Sequence, residues 1–169
     1  RLVAIEAALQ RAPDPLWGLA ALASGTGEDL GAKLRLSSAD AARLADAGRH
    51  DVAFRPETGE AAAKAFIYRH GAQAFANGAL LDWARSGDTP SDKARAAHAT
   101  LSERWSAPQL PVRGADVVAL GVPAGPGVGR VVAGFEAWWI GAGYPDDAAR
   151  VRAKLEELAR GELQARRDA

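Results

Sequence analysis

The chain holds 169 residues, 48% of them apolar, with 21 Lys and Arg set against 21 Asp and Glu; that length buries a core as one domain or as two small ones. No cysteine and only three histidines are present, which excludes disulfides, thiolate metal sites and a cysteine nucleophile, and argues against a histidine zinc site. The neutral balance means that a polyanion would have to be met by a local patch, not by a global field.

No run approaches the roughly 20 apolar residues that span a bilayer, and no charged-then-apolar signal opens the chain. The expectation is a soluble, cytoplasmic protein with no membrane partner. Arg1 opens the sequence inside a helical pattern and no Met occurs, so the chain is expected to be a fragment of a longer protein. Alanine dominates and β-branched residues are sparse, which favours helices throughout.

Leu2, Ile5 and Leu9 form a helical stripe at the start. Asp14 and Pro15 predict a capped helix over about 16–23. Leu30, Leu34 and Leu36 supply the next apolar face, and Ser37 or Ser38 caps a helix that Gly48 closes. A polar connector with Pro56 follows over 50–58, the first plausible boundary. Ala63, Phe66, Ile67 and His70, then Phe75, Ala79, Leu80 and Trp83, stand at helical spacing on two helices parted by Gly71. Ser91 is expected to cap the next helix, with Ala94, Ala97, Leu101 and Trp105 on one face, and Pro108 and Pro111 stop it.

The stretch 111–144 organises the rest. It reads as a short apolar turn from Gly114, a Gly/Pro hairpin over 121–129, and a helix to about Trp139 with Val128, Val131, Val132, Phe135, Trp138 and Trp139 on one broad face. A final helix over about 146–159 offers Ala148, Val151, Leu155 and Leu158, with Asp146 and Asp147 in its first turn and Arg160, Arg166 and Arg167 at or after its end. These two helices are expected to pack as a hairpin. The fold class is therefore all-α: an array of about seven to nine short-to-medium helices, with a Gly/Pro hairpin between helices near the C-terminus.

Catalytic readings fail by elimination. No G-x-S-x-G, H-E-x-x-H or Walker string is present, since GPGVGR lacks the Lys-Ser/Thr that holds phosphate and magnesium. A dinucleotide fingerprint fails too, because Gly125 and Gly127 are followed by Arg130 where a third glycine is needed. The acidic pairs Glu28/Asp29, Asp146/Asp147 and Glu156/Glu157 read as caps and solvated faces. What remains is a turn that exposes backbone amides at a helix start, where the macrodipole favours an anion. Arg113 and Arg130 flank it, as in a helix-hairpin-helix that contacts phosphate without reading bases.

Four segments, KLRLSSADAARL (33–44), FIYRHGAQAFANGALLDWARSG (66–87), LSERWSAPQLPVRGADVVALGVPAGPGVGRVV (101–132) and FEAWWIGAGYPDD (135–147), together resemble the C-terminal RNA-binding region of the bacterial tRNA nucleotidyltransferase/poly(A) polymerase family. The specific part is the ordered string from Pro111 to Gly129. The resemblance implies residues 1–50 as a neck and body segment continuing from an N-terminal catalytic head, and 51–169 as the body and tail. The head would use magnesium and ATP or CTP to extend RNA 3′ ends; nothing in this chain matches it, so no cofactor is expected here. Two positions depart from relatives: Ala115 and Gly18 stand where basic residues are common. Asp116 matches the motif and is expected as a buried cap or a partner of the Gly-loop amides.

The resulting expectation is a non-catalytic helical module that binds and positions tRNA or other RNA. Its phosphate contacts would be Arg113, Arg130 and the amides of Gly125, Gly127, Val128 and Gly129, with Arg69, Arg85 and Lys154 as supporting charges. Two alternatives stay open: a stand-alone protein-interaction domain using the Trp138/Trp139 face, and a helix-hairpin-helix-like DNA-binding module.

Overall fold

The computed structural model describes residues 1–22, 33–47 and 51–168, and among them the chain is an all-α array with no strand. It divides into two compact units, Arg1–Ala107 and Pro108–Ala169. The boundary expected at residue 50 lies elsewhere than this division, and the reason is in the supposed polar connector. Residues 52–58 fold into two short 3-10 turns, Val52–Phe54 and Pro56–Thr58. Ala53 and Phe54 enter the same core as the residues before and after them. Leu30, Gly48 and His50 lie outside the described residues.

The first unit contains α1 (Leu2–Ala8), α2 (Pro15–Leu22), α3 (Ser38–Ala47), α4 (Gly59–His70), α5 (Ala72–Ser86), α6 (Lys93–Ala99) and α7 (Leu101–Arg104). Local chemistry sets the starts. The Asp14 carboxylate accepts the Leu16 N–H at 2.9 Å, just before Pro15 enters the first helical position. The Ser37 hydroxyl oxygen accepts the Asp40 N–H at 3.1 Å. Gly71 and Gly87, at φ 90° and 91°, bracket α5 in a backbone region that residues with a Cβ rarely adopt.

Helix α5 is the axis of this unit, packing against each of the six other described helices and the first 3-10 turn. Phe75, Ala76, Gly78, Ala79, Leu80, Leu81 and Trp83 are all buried, so its apolar surface runs nearly all round, wider than the stripe read from the sequence. Gly78 is there because Phe54 lies on it: a Cβ would stand 2.2–2.6 Å from three carbons of that ring. The ring also meets Phe66 edge-on at 4.9 Å and Phe75 at 6.2 Å.

The expected 94–105 face holds at Leu101, which is buried, and at Trp105, which packs against the core, but its first half is out of phase with the structure. Ala94 and Ala97 are exposed, whereas Arg95, His98, Ala99 and Leu101 are buried, and the chain breaks at Thr100 between α6 and α7. Asp92, not Ser91, caps α6 by accepting the Arg95 N–H at 2.9 Å. His98 Nε2 donates to the Ala53 carbonyl at 2.8 Å, so a polar side chain ties α6 to the first 3-10 turn inside the core.

The second unit contains α8 (Gly114–Ala119), α9 (Pro126–Gly141) and α10 (Ala148–Arg167). α9 and α10 pack together, as expected of a hairpin. Val112, Val117, Val122, Val131, Phe135, Trp139, Leu155 and Ala159 form the buried interior. α10 runs two turns past the expected end at 159. Its last stretch has Leu163 as its one large apolar residue, too little to mark a stripe, yet except for Gly161 its residues are good helix formers. Arg160 therefore lies inside the helix, and only Arg166 and Arg167 occupy its last turn.

Candidate nucleic-acid interface

The expected contact region is built from the starts of two helices. What looked like a short apolar turn from Gly114 is α8 itself. Arg113 precedes it in extended conformation, and its backbone N–H donates to the Asp116 carboxylate at 2.7 Å. Asp116 is thus a cap, but an exposed one on Arg113's own amide; it does not bond the glycine loop. The chain then turns through Gly121, at φ 91°, with Val122 buried as the anchor. It reaches Gly125 at φ 137°, and Pro126 begins α9. A Cβ on Gly114 would stand 3.3 Å from Val128 Cγ1, so the starts of α8 and α9 lie side by side.

The turn closes at Gly125, and 126–129 are already helical, which changes the proposed amide cradle. Pro126 has no N–H, and the Val128 N–H donates to the Gly125 carbonyl at 3.1 Å. The Val128 amide is therefore engaged within the turn. Gly125 and Gly129 are exposed, with open space where a Cβ would stand, but Gly127 is buried against α10. There a Cβ would meet Glu162 Oε1 at 2.5 Å, so a larger residue would push aside the end of this side chain.

Glu162 also holds Arg130. Nε donates to Oε2 at 3.1 Å and Nη2 to Oε1 at 2.5 Å, a two-pronged pairing. The Arg130 side chain is 62% exposed and that of Glu162 only 10%. The hydrogen bonds from Arg130 hold the Glu162 carboxyl below the usual carboxylate range, and Arg166 one turn on adds to the effect. In return the carboxylate raises the Arg130 guanidinium further above its ordinary value. A depressed carboxyl pKa stabilises the fold above the unfolded value, and the contribution disappears as pH falls through the folded one. The melting temperatures of wild type and Glu162→Gln should therefore differ at pH 7 and converge as the pH falls below the lowered pKa of Glu162. A gap that persists unchanged in acid would show that the pairing does not titrate this way.

The other expected cations divide. Arg113 is exposed and makes no ion pair among the described residues. Lys154 pairs with Glu157 at 2.6 Å and sits about 12 Å along α10 from Glu162. Arg69 and Arg85 belong to the first unit: Arg69 is exposed in the last turn of α4, and Arg85 donates to the Ala20 carbonyl at 3.0 Å. The structure thus brings together Arg113, the 125–130 segment and Glu162, with Arg166 adjacent. Gly18 lies within α2 with open space at the Cβ position.

The Trp138/Trp139 pair separates. Trp139 is buried, its Nε1 donating to the Pro145 carbonyl at 2.9 Å. Trp138 is half-buried, 5.3 Å from the Phe135 ring and covered by Arg150 at 5.6 Å. Only one of the two rings reaches the surface.

Sequence reasoning missed Glu162 and Arg166. The signal was a carboxylate at position 162 in step with Leu155 and Leu158 on the packed face, concealed once the helix was ended at 159. Among the described residues no group of His, Asp and Glu could hold a metal, and no helix is long and apolar enough to cross a membrane. Comparisons with protein-family models, curated proteins and solved structures find no match to this chain.

Proposed function

We propose that this chain is a non-catalytic RNA-binding module, the helical body and tail of a tRNA nucleotidyltransferase or poly(A) polymerase, which grips the phosphate backbone of tRNA for a catalytic head outside this sequence. What carries the reading is the juxtaposition at the starts of α8 and α9. The ordered string from Pro111 to Gly129 folds so that Gly114 rests on Val128, with Arg113 before one helix and Arg130 in the other. A-form RNA presents phosphates and 2′-hydroxyls rather than a readable major groove, and two guanidinium groups beside exposed Gly125 and Gly129 suit that surface. Arg130 reaches phosphate by exchanging one oxyanion partner for another. The buried Trp139 leaves the protein-docking alternative with a single ring.

The test is tRNA affinity across a salt series. Arg113→Ala/Arg130→Ala should reduce the slope of log K against log salt by about two, and weaken binding roughly 50- to 100-fold at 0.1 M salt. Unchanged affinity and slope would remove the site. Tighter binding of duplex DNA than of tRNA, in direct competition, would transfer the surface to the DNA-binding alternative.

A further inference from the structure

We propose that a second phosphate site lies in the first unit, in the polar recess lined by Arg55, Asp82, Arg85, Ser86 and Arg95. The recess has a volume of about 470 Å³ and forms around the C-terminal turn of α5. Asp82 and Asp88 are its carboxylates, and both are satisfied by Arg95, whose Nη1 donates to Asp82 at 2.7 Å and whose Nε donates to Asp88 at 2.8 Å. Arg95 is only 8% exposed, so this guanidinium is fixed in place. The Ser86 hydroxyl lies 2.8 Å from Asp88 Oδ2 and 2.9 Å from the Trp83 carbonyl.

The two remaining arginines are only partly committed. Arg55 Nε is 3.7 Å from Asp82, beyond hydrogen-bond reach, and its side chain is largely exposed. Arg85 commits one nitrogen to the Ala20 carbonyl and keeps the rest of a five-donor fork. Arg1 adds positive charge from the side of Gly87, its Nη1 standing 3.7 Å from where a Cβ on that glycine would be. Guanidinium groups outnumber carboxylates among the residues that line the recess, and planar forks of this kind match the oxygens of a phosphate. A purely structural ion pair would need Arg95 alone.

The ligand class is a phosphate oxyanion, supplied either by an RNA backbone or by free phosphate. The RNA source rests on the function proposed above; the site itself does not. The test titrates inorganic phosphate into the 169-residue chain while following the arginine Nε–H resonances, then repeats it on Arg55→Gln, with thermal melts to verify folding. Saturable shifts of Arg55, Arg85 and Arg95 that are lost in Arg55→Gln at unchanged melting temperature are expected. No saturable response, or one that Arg55→Gln leaves intact, overturns the site, whatever the tRNA affinity. In parallel, Arg55→Gln should weaken tRNA binding about tenfold at 0.1 M salt and lower the salt slope by about one. A phosphate response with unaltered tRNA affinity keeps the site and assigns it to free phosphate. A phosphate response in a chain that binds no tRNA also keeps it, and sinks the RNA reading instead.

Discussion

Gly78→Ala should destabilise the first unit by roughly 1–3 kcal/mol, the range for forcing an extra carbon into a packed core. Helix propensity alone argues the other way, because alanine is favoured over glycine in a helix interior by up to about 1 kcal/mol. The Phe54 ring decides the sign. The new methyl would stand 2.2–2.6 Å from three of its carbons, and the ring has nowhere to retreat while Phe66 and Phe75 pack on it. Urea unfolding measures the loss. Gly78→Ala/Phe54→Leu should be less unstable than the two single changes summed, because the positions share one contact. A Gly78→Ala protein as stable as wild type would mean that the 3-10 turn carrying Phe54 shifts freely.

Trp83→Ala should cost about 3–5 kcal/mol, as removal of a fully buried aromatic does. Trp83 is 0% exposed, and its Nε1 donates to the Thr89 carbonyl at 3.1 Å. That bond ties α5 to the loop carrying Asp88, where the Ser86 hydroxyl and then the Arg95 guanidinium lower the carboxyl's pKa. Trp83→Phe separates the two roles. It keeps most of the buried area and loses the hydrogen bond, so a smaller cost of about 1 kcal/mol is expected. The Arg95 Nε–H resonance should move as the loop loosens. Equal losses for both variants would show that the bond, not the ring, carries the stability.

Legibility in the sequence followed the kind of force at work. Local signals were readable: Asp14–Pro15, Ser37 and Gly71 each act within a few residues, and each lies where expected. Apolar periodicity found α4, α5 and α9, whose large side chains mark their own phase. It failed over 94–99, where alanines carry little phase information and the buried positions include Arg95 and His98; a count of apolar residues cannot register a buried guanidinium satisfied by two acids. It failed again at Phe54, a single aromatic in a polar string. At the candidate interface the glycines and flanking arginines were visible, but Glu162 was not. Its partner Arg130 is 32 positions away, and only the packing of α9 on α10 brings them together.

Glu162 also bears on which anions Arg130 can take. Any anion that approaches the start of α9 meets a guanidinium whose charge is already offset by a carboxylate that takes two of its five donors. A lone oxyanion gains little there. Linked phosphates would do better, because with one held by Arg113 the next would arrive at high local concentration. On the RNA-binding reading, this carboxylate would act as a threshold at Arg130 that favours a polymer over small anions. In the recess around Arg55 the neighbouring carboxylate, Asp82, stands 3.7 Å from Nε and takes no hydrogen bond from it.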